Sequence, residues 1–185
     1  MLGMTQLELL VTLAIAALLT TFAIPSLTDL VRDYRATAAI NGIVGQVQYL
    51  RSTAITARRP VTLCPGRPPV CGKRDSWHTG SFAFIDHNKN GRLDGADAVV
   101  KEFAPAAPQG AFTWRSFRNR KSLSITGHGF TNWQNGSFRY CPDNGDERYA
   151  RQAILNAQAR VRYARDQDGD GIREDAQGQP LRCSK

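Results

Sequence analysis

The sequence predicts an α+β protein: one long N-terminal helix, hydrophobic in its first half, leading into a β-rich head. Three observations carry that expectation. No charged residue occurs from Leu9 to Thr28. Apolar residues then recur at helical spacing as far as Leu50. From Pro60 onward that period gives way to short runs separated by Gly, Pro, Asn and Asp.

The helix is expected from about Met4 to Ala57, roughly 80 Å at 1.5 Å per residue. Twenty uncharged residues suffice to cross a bilayer core. A secretory signal or the buried helix of a soluble protein are the competing readings. Phe22-Ala23-Ile24-Pro25 makes a poor signal-cleavage site, and no charged residue interrupts the apolar faces. Pro25 should kink the helix, because it lacks a backbone donor and crowds the preceding turn. Beyond it Leu27, Leu30, Val31, Tyr34, Ala38, Val44, Val47 and Leu50 form a stripe that can pack on the head. Gly42 and Gly45 weaken this half, and Arg58-Arg59-Pro60 ends it. Strands are expected at Val61–Cys64, Ser81–Asp86, Ala98–Phe103, Ser122–Thr126, Ser137–Cys141, Ala150–Asn156 and Arg160–Ala164.

Glu8 is out of place at the edge of an apolar run, since a carboxylate at membrane depth is costly without a partner. In its setting, "GMTQLELLVTLAIAALL", it resembles the class III signal of type IV prepilins and pseudopilins. That resemblance implies cleavage by a prepilin peptidase between Gly3 and Met4 and N-methylation of Met4. It also makes Glu8 the fifth mature residue, where it serves subunit assembly. A new ammonium and a buried carboxylate can neutralise each other between stacked subunits. The expected organisation is a leader at 1–3, a membrane and filament-core half-helix at 4–28, an amphipathic half-helix at 29–59 and a head at 60–185. The chain would be anchored in the inner membrane with its head in the periplasm, among other pilins.

Four cysteines in such a body suggest two disulfides, for which the sequence allows three connectivities. Cys64 and Cys71 bracket "CPGRPPVC", a loop that a local bridge would staple, which leaves Cys141 with Cys183. A zinc site is the rival idea, but no C-x₂-C knuckle is present.

The segments "VTLCPGRPPVC" and "WHTGSFAFIDHNKNGRLDGADAVV", with a late Arg-x-Arg strand and a terminal Cys, resemble the GspH/FimT family of minor pilins and pseudopilins. The resemblance implies a two-sheet head. The stretch from Lys101 to Asn135 carries no such resemblance.

Two acidic stretches have calcium-loop spacing. Asp86, Asn88, Asn90, Gly91, Asp94 and Asp97 stand at positions 1, 3, 5, 6, 9 and 12 of the first. A hairpin turn, with Asn and Gly supplying positive φ, explains that segment better. Asp166, Asp168 and Asp170 open the second, whose twelfth position is Gln177, unable to offer a bidentate carboxylate. The plainer reading is a solvated acidic turn; bound calcium would act as a stabiliser. No cofactor is expected. The three histidines, His78, His87 and His128, have no nucleophile at a telling spacing, and no enzyme activity is expected.

The net charge of +8 is uneven. Residues 51–80 and 101–140 each hold six basic groups and one acidic group. The second excess centres on "WRSFRNRK", where Arg115, Arg118, Arg120 and Lys121 interleave with aromatics. DNA and an anionic membrane surface are the natural polyanions for a basic periplasmic head. In "ARVRYAR", Arg160 and Arg162 should share one face of a strand while Val161 and Tyr163 face the core. FimT-like minor pilins have a similar Gly-Arg-x-Arg motif that is tied to DNA binding in natural transformation. The resemblance casts Arg160 and Arg162 as DNA-binding, with Arg165 and the Arg115–Lys121 cluster in support; Ala159 stands where the motif has Gly. The alternative function is a structural subunit, either initiating pilus assembly or serving a type II secretion system.

Overall fold

The computed structural model describes residues 5–106 and 109–183. Helix α1 spans Gln6–Ala57 and is followed by eight strands: β1 (Val61–Pro65), β2 (Ser81–Ile85), β3 (Ala98–Phe103), β4 (Ala111–Ser116), β5 (Leu123–Ile125), β6 (Gly136–Cys141), β7 (Arg151–Leu155) and β8 (Val161–Tyr163). Seven lie where the sequence places strands. The addition is β4, inside the stretch without resemblance. The chain divides into two compact units, residues 1–35 and 36–185.

In the first unit the helix carries no charge from Leu9 to Thr28 and is apolar on its faces there. Leu7, Leu10, Leu13, Leu18, Leu19 and Ile24 are all exposed. Three hydroxyls within that run are satisfied internally: those of Thr12, Thr20 and Thr21 donate to the carbonyls of Leu9, Ala17 and Leu18. An apolar surrounding demands this, because an unbonded hydroxyl there is costly. Pro25 is accommodated inside the helix. Glu8 lies in the first turn, and its backbone N–H donates to Thr5 Oγ1 at 3.3 Å.

The second unit is built on two antiparallel sheets, ordered β3-β2-β1-β5 and β4-β6-β7-β8. One core joins both to the helix. Ala36, Ala39, Ile40, Ile43, Val47, Leu50 and Ala54 recur at three- and four-residue steps and pack with Val61, Leu63, Trp77, Phe112, Trp114, Phe138 and Tyr140. Burial along α1 therefore starts at Ala36; Leu27, Leu30, Val31, Tyr34 and Ala38, part of the expected packing stripe, are exposed. Strand β1 is buried throughout. Its Val61 and Leu63 join the main core, while Cys64 joins Cys71, Phe82 and Phe84 in a second cluster.

Two disulfides, Cys64–Cys71 and Cys141–Cys183, close the loops that the spacing suggested. The second fastens the C-terminal segment to β6. Glu147 holds the same segment by accepting from Arg182 at 2.7 Å and from the Cys183 N–H at 3.1 Å. Gly136 is required where β6 meets β4, since a Cβ there would fall 2.1 Å from the Arg115 carbonyl oxygen.

Candidate nucleic-acid interface

Strand β4 makes the site. Its alternation sends Phe112 and Trp114 into the core and leaves Ala111 and Arg115 exposed. Register carries that outward face across the second sheet. Arg115 pairs with Ser137, Ser137 with Ile154, and Ile154 with Arg162. These four share one face, so the two arginines stand at opposite edges of the same row. Three inter-strand steps separate them, about 14 Å. Ser137 and Ile154, which stand between the two cations, are each partly buried.

The next row adds Arg139, paired with Thr113 on β4 and Gln152 on β7. Burial, and then the neighbouring Arg115 charge, push the Arg139 guanidinium below the ordinary arginine range, while Asp175 opposes them. Like charge thus crowds this face. Arg139 Nη1 also donates to the Arg182 carbonyl at 3.1 Å, so the C-terminal segment fixes its position.

At the β4 edge a groove of about 1040 Å³ gathers Lys73, Arg74, Arg115, Arg120 and Lys121, with Asp75 the single carboxylate among its lining residues. Lys73 and Arg74 were not among the sequence candidates; they follow Cys71, and the Cys64–Cys71 loop brings them to β4, where the Trp114 N–H donates to the Arg74 carbonyl. Arg118 lies 5.9 Å over the Phe117 ring.

At the other edge Arg160 and Arg162 are both exposed. Arg160 precedes β8, in a turn where Asn156 Oδ1 accepts from the N–H groups of Gln158 and Arg160. Ala159 in that turn has φ 55°, the left-handed region that glycine favours. Arg165 is exposed just beyond. Val161 packs partly against the core, but Tyr163 does not enter it as expected. It is 45% exposed and its hydroxyl hydrogen-bonds Asn41 at 2.9 Å. A phenol on a short edge strand reaches the helix surface more cheaply than it buries its hydroxyl. Gly3 and Met4 lie outside the described residues.

The acidic stretches differ from each other. Asp86 is fully buried and accepts from Thr62 Oγ1 and from the N–H groups of Asn90 and Gly91. Its loop is a self-satisfied turn. The positive φ values belong to Lys89, Gly91 and Gly95 rather than to the asparagines, whose amides donate to Asp94. In the second stretch Asp166, Asp168 and Asp170 do converge, joined by buried Glu174 instead of Gln177, with carboxylate oxygens within 4.8 Å of one another. Asp166 accepts from Gly169 and Gly171, and Glu174 from Gln167, so backbone donors already occupy much of this cluster.

A two-sheet head built on the second half of a long N-terminal helix, with an apolar first half, defines a pilin-type protein. The chain belongs to the GspH family of type II transport proteins, whose profile matches residues 39–167. Among solved structures it is similar to the type IV minor pilin FimU of Pseudomonas aeruginosa (strain PAO1) in two crystal forms. In space group P21 the identity is 18% and the TM-score 0.55, over 83% of this chain and 97% of that one. In space group P65 the identity is 17% and the TM-score 0.51, over 80% and 98%. A search of curated proteins found no match. Family and helix together fit a membrane-anchored pilus component that assembles with other pilins.

Proposed function

We propose that this minor pilin binds DNA without sequence preference through its periplasmic head, for uptake in natural transformation. The observation behind this reading is the cross-strand row that sets exposed Arg115 and Arg162 on one sheet face, with Arg160 beside one end and the five-cation groove beside the other. Guanidiniums on paired strands are pre-positioned and can grip phosphates bidentately. Among the described residues the only long helix is committed to the apolar segment and the core, so none of the described elements serves as a major-groove reader. Binding should have a Kd on the order of 10⁻⁴–10⁻⁶ M at physiological salt.

The test uses the full chain in detergent with duplex DNA over a salt series. Arg160→Gln with Arg162→Gln should lower the log–log salt slope by nearly two, about 0.9 per lost phosphate contact, with the fold intact. If neutralising Arg115, Arg118, Arg120 and Lys121 abolishes binding while the double variant binds normally, the groove is the seat instead. No binding at about 50 mM salt would leave the alternative, a structural subunit of a pilus or of a type II secretion system.

The N-terminal resemblance supplies a processing step. Cleavage after Gly3 should give a native protein that begins at N-methylated Met4, with Glu8 as its fifth residue. Intact mass measures this directly, and a mature chain retaining Met1 or Leu2 would rule it out.

A further inference from the structure

Three loops distant in sequence enclose a second cationic place, a cleft of about 70 Å³. Its lining includes Lys89, Arg118, Arg120, Ser122, Asn132 and Trp133, and no acidic residue. The volume holds about two waters, the scale of a phosphate rather than of a base. Three cations with hydroxyl and amide groups are the donors that an oxyanion takes.

The backbone around the cleft is unusual. Six non-glycine residues have positive φ among the described residues, and three of them line this cleft: Lys89 (61°), Arg118 (63°) and Trp133 (58°). Such conformations are unfavourable for side chains of this size and gather at functional sites. Trp133 is also 71% exposed, whereas Trp77 and Trp114 are buried at 1% and 0%. The fold hides two indoles completely and displays the third, on a strained backbone, at the rim of a phosphate-sized cationic cleft.

We propose that the cleft takes one backbone phosphate of an unpaired DNA strand, among Lys89, Arg118 and Arg120, with a neighbouring base stacked outside it on the exposed Trp133 indole. The inference rests on the DNA reading above and specifies the form of DNA. A duplex keeps its bases stacked on one another, so only unpaired nucleotides offer a free face. Stacking tolerates any base, which suits a head without a sequence reader.

The test compares a twelve-residue oligothymidylate, a duplex of equal length and an abasic deoxyribose-phosphate strand, each with the full chain in detergent. Because the other indoles are buried, quenching of tryptophan fluorescence reports Trp133. Oligothymidylate should quench it and the abasic strand should not, while anisotropy of labelled DNA tracks binding itself. Trp133→Ala should weaken oligothymidylate binding about 5- to 150-fold, the range for one stacked base, and leave duplex binding unchanged. Trp133→Phe should keep most of the affinity, which separates stacking from a folding defect. Equal binding of oligothymidylate by Trp133→Ala and the parent chain, or quenching by the abasic strand, overturns the inference while duplex binding still upholds the DNA reading. A change in self-association with unaltered DNA binding makes the indole a subunit contact and overturns it too. Binding of no DNA of any form sinks both.

Discussion

Phe138→Ala should destabilise the head by about 3–5 kcal/mol, the usual cost of emptying an aromatic site in a packed core. Phe138 is 1% exposed and stands between two tryptophans. It meets Trp77 edge-on, with centroids 4.9 Å apart at 83°, and stacks on Trp114 at 4.2 Å and 27°. Each such contact adds about 0.5–1.5 kcal/mol beyond area burial. The neighbours cannot close the gap, because Trp77 and Trp114 are fixed by a 3₁₀ turn and by β4. A melting-temperature drop of about 6–20 °C is expected for a chain of this size. A loss below about 1 kcal/mol would mean that the aromatic cluster is not the centre of the core. The variant should also disturb the cationic row, since Ser137 and Arg139 flank Phe138 on β6 and face outward.

Removing the Cys141–Cys183 bridge should cost about 3–4 kcal/mol in the chain-entropy account, because it closes a loop with a sequence separation of 42. Cys141→Ala with Cys183→Ala, compared with the parent chain by denaturant titration under non-reducing conditions, measures it; an unchanged midpoint would refute the estimate. Glu147 gives the same segment a pH dependence. The Arg182 hydrogen bond, and then the Cys183 N–H, hold its carboxyl below the usual value of 4.5. A lowered folded pKa means that the stabilisation is present above the unfolded value and is lost as pH falls through the folded one. The parent chain should therefore lose stability below about pH 4.5 more steeply than Glu147→Gln.

The helix and seven strands were readable because their periods are local. Strand β4 was not: only Phe112 and Trp114 mark its inner face, and the arginines after them read as a charged cluster. Periodicity also ran past its meaning at Leu27–Tyr34, where the helical stripe continues but Leu27, Leu30, Val31 and Tyr34 are exposed. The candidate site depends on register, which a sequence does not display. Arg115 and Arg162 share a row only because two intervening strands pair as they do. Lys73 and Arg74 reach the groove through a disulfide loop, and Glu174 enters the acidic cluster in place of the residue that a loop template would choose. The Trp133 cleft draws on residues 89, 118 and 133, of which only Arg118, in the basic cluster, stood out in the sequence.

The participation of α1 in the core has a mechanical consequence. Ala36, Ile40, Ile43, Val47, Leu50 and Ala54 are each no more than 3% exposed, so the stem of this subunit is also a structural beam of its head. Tension applied along the helix would reach the sheets through these side chains spread over five turns, rather than through the single peptide link at Pro60. Tearing head from stem would require all of them to slide out of the core together. A subunit pulled through a filament under load is thus protected by shear across a long apolar seam, and softening that seam with Ile43→Ala or Leu50→Ala would lower the force at which the head comes apart.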